Sequence, residues 1–293
     1  MKILLFGHRG QLGSFLAERL PRLGMLAAYD QHECDLTDPE ALRRVIAQER
    51  AGIIVNASAY TAVDQAESDE DSARRVNADA PAVMAEAASA QGALLVHYST
   101  DYVFDGKAHT PYTEESATHP NGVYATTKLA GEQAVAAGCA QHLILRTAWL
   151  YSNRGKNFFK TMLRLADERT ELRVVNDQTG SPTYARLVAD TTLAMLEQMY
   201  AAGQLQTARC GLYHVACGGS ATWYEFASNI IRLTGKADQV RVLPIPTSDY
   251  PTPAPRPAYS VLSSAKLQRI FGLRLPDWQA GLEQCFADRP AER

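Results

Sequence analysis

The sequence predicts an α/β fold: a doubly wound parallel sheet with a smaller mixed domain built largely from the C-terminal part. Three observations carry this. Short, uninterrupted apolar runs alternate with helical patterns from the first residue onward. The first run leads into a glycine-rich turn that opens a helix. A further helix, carrying Tyr124 and Lys128, separates the fourth and fifth runs. Continuous apolar strands between helices are what a parallel sheet covered on both faces requires. The right-handed crossovers that join such strands give the double winding.

Taken in order, residues 3–6 form the first strand, followed by glycines and a helix over 12–22. Residues 26–29 form the second strand, ending at Asp30. Asp38-Pro39-Glu40 starts a helix, because Asp38 can accept from free N–H groups and Pro39 suits the first helical position. Residues 53–55 are the third strand, and an alanine-rich stretch, 71–91, reads as one long helix. Residues 94–98 and 143–145 are the fourth and fifth strands. Beyond about residue 150 the pattern loosens into a helix over 157–167, a strand over 173–175, a helix over 184–200 and a strand over 212–215. Six of the 14 prolines fall within 244–257. Proline lacks the N–H and fixes φ, so regular structure is not expected there, and the stretch reads as a stiff loop wrapped over a site. Helices resume over 263–271 and 276–286.

Composition narrows the function. The 293 residues carry a net charge of −3, with no basic field to suit nucleic acid or a membrane surface. No apolar run approaches the ~20 residues that cross a bilayer. Cys34, Cys139, Cys210, Cys217 and Cys285 are scattered without a CxxC, which reads as free buried thiols in a reducing compartment. Met1-Lys2 runs straight into a strand, so no signal peptide is expected and a cytoplasmic location is.

Gly7-His8-Arg9-Gly10-Gln11-Leu12-Gly13 gives a GxxGxxG turn between strand and helix, the context that makes the pattern meaningful. Gly7, Gly10 and Gly13 allow a tight turn and close approach of backbone N–H groups to a pyrophosphate, which the helix N-terminus also favours. This makes the first part of the sheet a Rossmann-like dinucleotide site. Asp30, 17 residues after Gly13, can accept from an adenosine ribose hydroxyl and favours NADH. Arg9 pulls toward NADPH, since a guanidinium can hold a 2′-phosphate. Use of both is expected. Asp35 can accept from the adenine amino group with Leu36 against the ring, and the small residues of 56–61 let the cofactor lie close to backbone. Residues 1–150 are therefore expected to form the dinucleotide-binding domain, with segments around 171–216 returning to it. Residues 151–170 and 217–293 then form the substrate-binding domain.

Tyr124 and Lys128, at i and i+4, share one helix face. They follow the fourth strand, at whose end lie Ser99 and Thr100, so all three groups converge on the ligand edge of the sheet. A phenol can donate a proton to a forming alkoxide, a hydroxyl can hold the carbonyl oxygen, and an ammonium can lower the phenol's pKa. Thr100 is preferred to Ser99, which points to the other side of an extended segment. The chemistry is nicotinamide-dependent ketone reduction.

These motifs resemble the extended short-chain dehydrogenase/reductases. Asn56-Ala57-Ser58-Ala59-Tyr60-Thr61, Ser99-Thr100-Asp101-Tyr102-Val103-Phe104, the stretch 176–183 and Pro251-Thr252-Pro253-Ala254-Pro255-Arg256-Pro257 narrow this to the dTDP-4-dehydrorhamnose reductases, over essentially the whole chain. The resemblance implies NAD(P)H-dependent reduction of the 4-keto group of dTDP-6-deoxy-L-lyxo-4-hexulose to dTDP-L-rhamnose, the last step of dTDP-rhamnose biosynthesis. It implies cofactor roles for Gln11, Leu12, Asp30, Asp35, Leu36, Ala59, Tyr60, Thr61, Tyr98, Tyr124 and Lys128. It implies substrate contacts at Thr100, Asp101 and Trp149, whose indole can cover a sugar face. Arg256 can pair with the substrate diphosphate, and Asn157 and Gln178 are further candidates. The resemblance also raises Mg²⁺, for which no ligand set is assignable, and a monomer or homodimer. Three alternatives stay open: a reductase for another 4-ketosugar, an epimerase or dehydratase of the same fold, and a non-catalytic regulatory subunit.

Overall fold

The computed structural model describes residues 1–289. Its centre is a six-stranded, wholly parallel sheet. β1 (Lys2–Phe6), β2 (Met25–Tyr29), β3 (Ile53–Asn56), β4 (Leu94–Thr100) and β5 (His142–Thr147) are joined by a sixth strand, Gly211–His214, at the edge. The spatial order is Gly211–His214, β5, β4, β3, β1, β2. The chain crosses over between β2 and β3, so the winding direction switches beside β1. Open α/β sheets bind ligands at such a point, outside the carboxyl ends of the strands.

Alternation along each strand explains why the runs are apolar throughout. Ile3, Leu5, Val55, Val96 and Leu145 join one core with helix α1 (Gln11–Arg19) and helix Ala185–Met199. Leu4, Phe6, Ile54, Leu95 and Ile144 join a second core under α2 (Pro39–Glu49), helix Ala80–Gln91 and helix Val123–Gly138. Both sheet faces are covered over most of their area, so the strands are largely apolar; the polar exceptions, such as Asn56, His97 and Arg146, are buried within them. Asp38 caps α2 as expected, accepting from the amides of Glu40 and Ala41.

Two elements depart from expectation. The stretch expected as one helix over 71–91 is divided into Glu70–Arg74, a π-helical segment Arg75–Asp79 and Ala80–Gln91. The cause is Pro81, which lacks the N–H that would bond the Asn77 carbonyl in an α-helix. Helix Val123–Gly138 uses that carbonyl's position: a Cβ on Gly131 would lie 2.1 Å from it, so only glycine permits the approach. The proline-rich stretch also contains regular structure. Arg241–Ile245, including Pro244, pairs in parallel with Glu171–Val175 in a separate two-stranded sheet. Pro244 is tolerated because an edge strand can leave one N–H unpaired. The segment around 171–216 divides accordingly. Glu171–Val175 lies outside the central sheet, whereas Gly211–His214 belongs to it and helix Ala185–Met199 packs in the same core as α1.

All five cysteines are free, and all but Cys210 are buried. Among the described residues, no helix is long and apolar enough to cross a membrane.

Candidate active site

The loops leaving Phe6, Tyr29, Asn56, Thr100 and Thr147, the carboxyl ends of β1 to β5, all open into one cleft of about 920 Å³. Its walls contain Gly7, Gly10, Gln11, Leu12, Asp30, Asp35, Leu36, Ala59, Tyr60, Thr61, Tyr98, Thr100, Asp101, Tyr124, Lys128 and Trp149. Residues from six separate segments of the sequence thus meet at one edge.

Gly7 has φ +82° and its amide donates to the Tyr29 carbonyl at 2.8 Å, while its own carbonyl accepts from Gly10. Gly13 does not line the cleft. A Cβ there would stand 1.9 Å from the Gly7 carbonyl oxygen, so its role is to let α1 lie against the loop. The Gln11 side chain turns toward the other half of the cleft, where its oxygen accepts from Asn157 (2.8 Å) and Ser152 (3.1 Å).

Arg9 and Asp30, expected to favour opposite cofactors, are bound to each other at 2.7 Å. Asp35 accepts from the Thr37 amide and hydroxyl, both at 2.9 Å, and so also shapes its own turn. The loop 57–61 is held from behind. Asn77, in the π segment, accepts from the Tyr60 amide at 2.9 Å and donates to its carbonyl at 3.1 Å, with a third contact to Thr127 of helix Val123–Gly138. The Tyr60 phenol is turned to Asp69, leaving its backbone at the cleft. Asn77 was missed from sequence; Pro81 four residues on was the available signal.

Tyr98 gives the site its carbonyl, which accepts from the Lys128 ammonium at 2.7 Å, while its buried hydroxyl bonds Thr192 at 2.7 Å. Lys128 is buried, while Tyr124 is half-buried at the cleft wall, with Thr100 nearby. Burial pushes that phenol up to about 12, opposed by Thr100. This corrects the expectation that Lys128 lowers it: in this structure the ammonium is committed to the Tyr98 carbonyl, and desolvation dominates. The same desolvation pulls Lys128 down to about 8. Thr100 also donates to Asp101 at 3.1 Å, and burial raises that carboxyl to about 6. The buried Ser99 hydroxyl has no partner, whereas Thr100 is the hydroxyl that opposes the rise of the Tyr124 phenol.

At the far end of the cleft Trp149, with φ +44°, lies flat on Trp223, the ring centroids 3.6 Å apart. Gly180 makes this posture possible, since a Cβ there would meet the Trp149 indole at 2.3 Å. Phe158 packs against Trp223 at 4.7 Å. Trp223 and Phe158 carry no motif and were missed. Arg256 stands apart: its guanidinium is bound to Asp64 at 2.9 Å, and it lines a recess of about 20 Å³ with Tyr102 and Asn121 rather than the main cleft. Gln178 is likewise absent from the cleft wall, donating to Thr247 at 3.0 Å.

For Mg²⁺ the fit is poor. Among the described residues, His8, Asp30 and Glu33 alone have metal-ligand spacing, and Arg9 already occupies Asp30. A hard cation prefers an all-oxygen shell, which the His8 imidazole and the Arg9-bound Asp30 do not offer.

A family model described as "RmlD substrate binding domain" matches residues 1–290. A dTDP-4-dehydrorhamnose reductase of Shigella flexneri is 46% identical over 292 residues, covering 97% of this chain and 96% of that protein. The crystal structure of a dTDP-4-dehydrorhamnose reductase from Clostridium acetobutylicum superposes with a TM-score of 0.91 at 38% identity, covering 98% and 99% of the two chains. That of a dTDP-4-dehydrorhamnose reductase from Bacillus anthracis, in complex with NADP, gives 0.89 at 37% identity, covering 98% and 99%.

Proposed function

This chain belongs to the RmlD substrate binding domain family, the dTDP-4-dehydrorhamnose reductases, and we infer from that membership and the cleft that it reduces dTDP-4-dehydrorhamnose to dTDP-L-rhamnose with NAD(P)H. This is the last step of dTDP-rhamnose biosynthesis. The observation that carries the chemistry is the joining of Thr100, Tyr124 and Lys128 in one cleft at the carboxyl edge of the sheet.

The residues present fit a nicotinamide dinucleotide. The glycine loop turns backbone toward the cleft, and Lys128 has two ammonium hydrogens beyond the one given to Tyr98. Gly7, Gly10, Gln11 and Leu12 would hold the pyrophosphate, with Gly13 seating the helix beneath. Asp30, Asp35 and Leu36 would hold the adenosine. Ala59, Tyr60 and Thr61 would lie along the middle of the cofactor, and Lys128 and Tyr98 at its nicotinamide end. When bound, the reduced cofactor supplies a hydride to C4 of the sugar. Thr100 holds the C4 oxygen, and Tyr124, protonated across the neutral range, delivers its proton there. Lys128 fixes the local geometry and its charge offsets the phenolate that remains. Trp149 covers the sugar, with Asp101 behind Thr100. Arg256, released from Asp64, reaches the diphosphate from the rim.

On this reading residues 1–150 form the dinucleotide-binding unit, to which 185–214 return. Residues 151–170 and 217–289 form the substrate unit, and the strand Glu171–Val175 goes with them through its pairing to Arg241–Ile245. The reaction belongs in the cytoplasm, which also suits five free thiols.

Lys128→Met is expected to lose at least ~100-fold in kcat, the scale of lost acid catalysis, and steady-state kinetics at neutral pH check it. Both cofactors are expected to serve. Arg9→Ala should weaken NADPH by about tenfold, the worth of one charge-assisted hydrogen bond, without weakening NADH; equal losses for both would remove Arg9 from the 2′-phosphate. The reading as a whole is tested by the product. Chromatography against authentic dTDP-L-rhamnose should show one species, and formation of its C4 epimer would reassign the substrate pose.

A further inference from the structure

Beneath the cleft a chain of buried charges runs from β5 to the catalytic lysine. Arg146, on β5, grips Glu132 with two parallel hydrogen bonds, Nε to Oε1 at 2.8 Å and Nη2 to Oε2 at 2.6 Å. Their side chains are only 4% and 6% exposed. The guanidinium also lies over the Phe104 ring, 5.1 Å from its centroid. Glu132 stands four residues after Lys128 on the same helix, hence one turn behind it on the same face. A buried ion pair of this kind is weak evidence for stability, because desolving both ions offsets much of their attraction. Its placement directly behind a fully buried ammonium calls for another account.

We infer that Glu132, locked by Arg146, is a positioning residue: it supplies the counter-charge that keeps the Lys128 ammonium in place on the Tyr98 carbonyl. The surroundings of Lys128 offer no equivalent. On β4, His97 is fully buried and held neutral by burial and by the Lys128 charge itself. At the end of β4, the Asp101 carboxyl is raised to about 6 and is engaged with Thr100. Tyr98 and Tyr124 are phenols raised by burial, uncharged at neutral pH. On β5, Arg146 is a cation. Burial drives Lys128 toward its neutral form, and the opposing influence is the Glu132 carboxylate. Arg146 completes the device, because a lone buried carboxylate would take up a proton and lose the charge that Lys128 needs.

The catalytic consequence rests on the reductase reading above; the counter-charge itself does not. The test therefore reads Lys128 directly. In free protein labelled with ¹³C at the lysine Cε, the Lys128 resonance is identified by its loss in Lys128→Met and titrated with pH. The midpoint is expected near 8 and should fall by about one unit or more in Glu132→Gln. The double variant Glu132→Gln, Arg146→Leu also removes the guanidinium that the single variant would leave buried without its partner, and should fold if the single one does not, with the same fall. The alkaline limb of kcat should move down with it, since activity needs the ammonium and is lost as pH rises through its pKa. An unmoved midpoint in both variants overturns the inference. A fall in midpoint that kcat does not follow upholds the counter-charge and removes Lys128 from the catalytic reading.

Discussion

Tyr124→Phe lowers kcat by at least ~100-fold, the usual cost of removing a general acid, with little change in cofactor affinity. The ring stays, so packing against Tyr102, 5.7 Å away and edge-on, is kept. What is lost is the proton. Burial raises the phenol to about 12, so wild-type Tyr124 is protonated throughout the neutral range and can act as donor at any pH where the protein is folded. Thr100, whose hydroxyl donates to Asp101 at 3.1 Å, lines the cleft with the phenol. After substitution Thr100 still polarises the ketone, but the alkoxide must take its proton from water. Near-normal turnover in Tyr124→Phe would refute the assignment. A loss confined to KM would mean that the phenol only binds.

Gly13→Ala acts from outside the cleft and is expected to lower affinity for the reduced cofactor at least tenfold. The added Cβ would stand 1.9 Å from the Gly7 carbonyl oxygen, 2.7 Å from its carbon and 3.0 Å from the His8 Cα. All three are backbone atoms, so α1 must back away from the loop or the loop must open. Overpacking of this kind costs about 1–3 kcal/mol. The displaced N–H groups are those that would meet the pyrophosphate. Gly10→Ala is the comparison: its Cβ would meet only the Gly7 carbonyl oxygen, at 3.2 Å, so a loss there reports crowding at the cleft wall itself rather than displacement of α1. Calorimetric titration with NADPH and a melting curve check both variants. Unchanged affinity in Gly13→Ala would show that the close approach of helix and loop is not needed.

The sheet was legible because strands buried on both faces are mostly apolar: Ile3 to Phe6 and Ile53 to Val55 leave no other reading. Tyr124, Lys128 and Thr100 were legible because their spacing and their place between strands put them on one edge. The π segment was not, since Arg75-Val76-Asn77-Ala78-Asp79 has no helix-breaking residue; the break is imposed by Pro81 and used by Gly131. Pro244 misled because the argument against proline in strands holds for interior strands, and Arg241–Ile245 pairs on one side only. The direction of the Tyr124 shift could not be read from i, i+4 spacing, which gives proximity to Lys128 but neither burial nor the Tyr98 carbonyl that claims the ammonium. Arg256 finds Asp64 across 192 residues, a pairing that no local pattern announces.

The most direct test of the central claim is loss of reduced-nicotinamide absorbance by purified protein supplied with dTDP-6-deoxy-L-lyxo-4-hexulose and either NADPH or NADH. The account predicts oxidation that depends on the sugar nucleotide, proceeds with both cofactors and yields dTDP-L-rhamnose. No oxidation, with the sugar nucleotide shown to be intact and the protein folded, would contradict it.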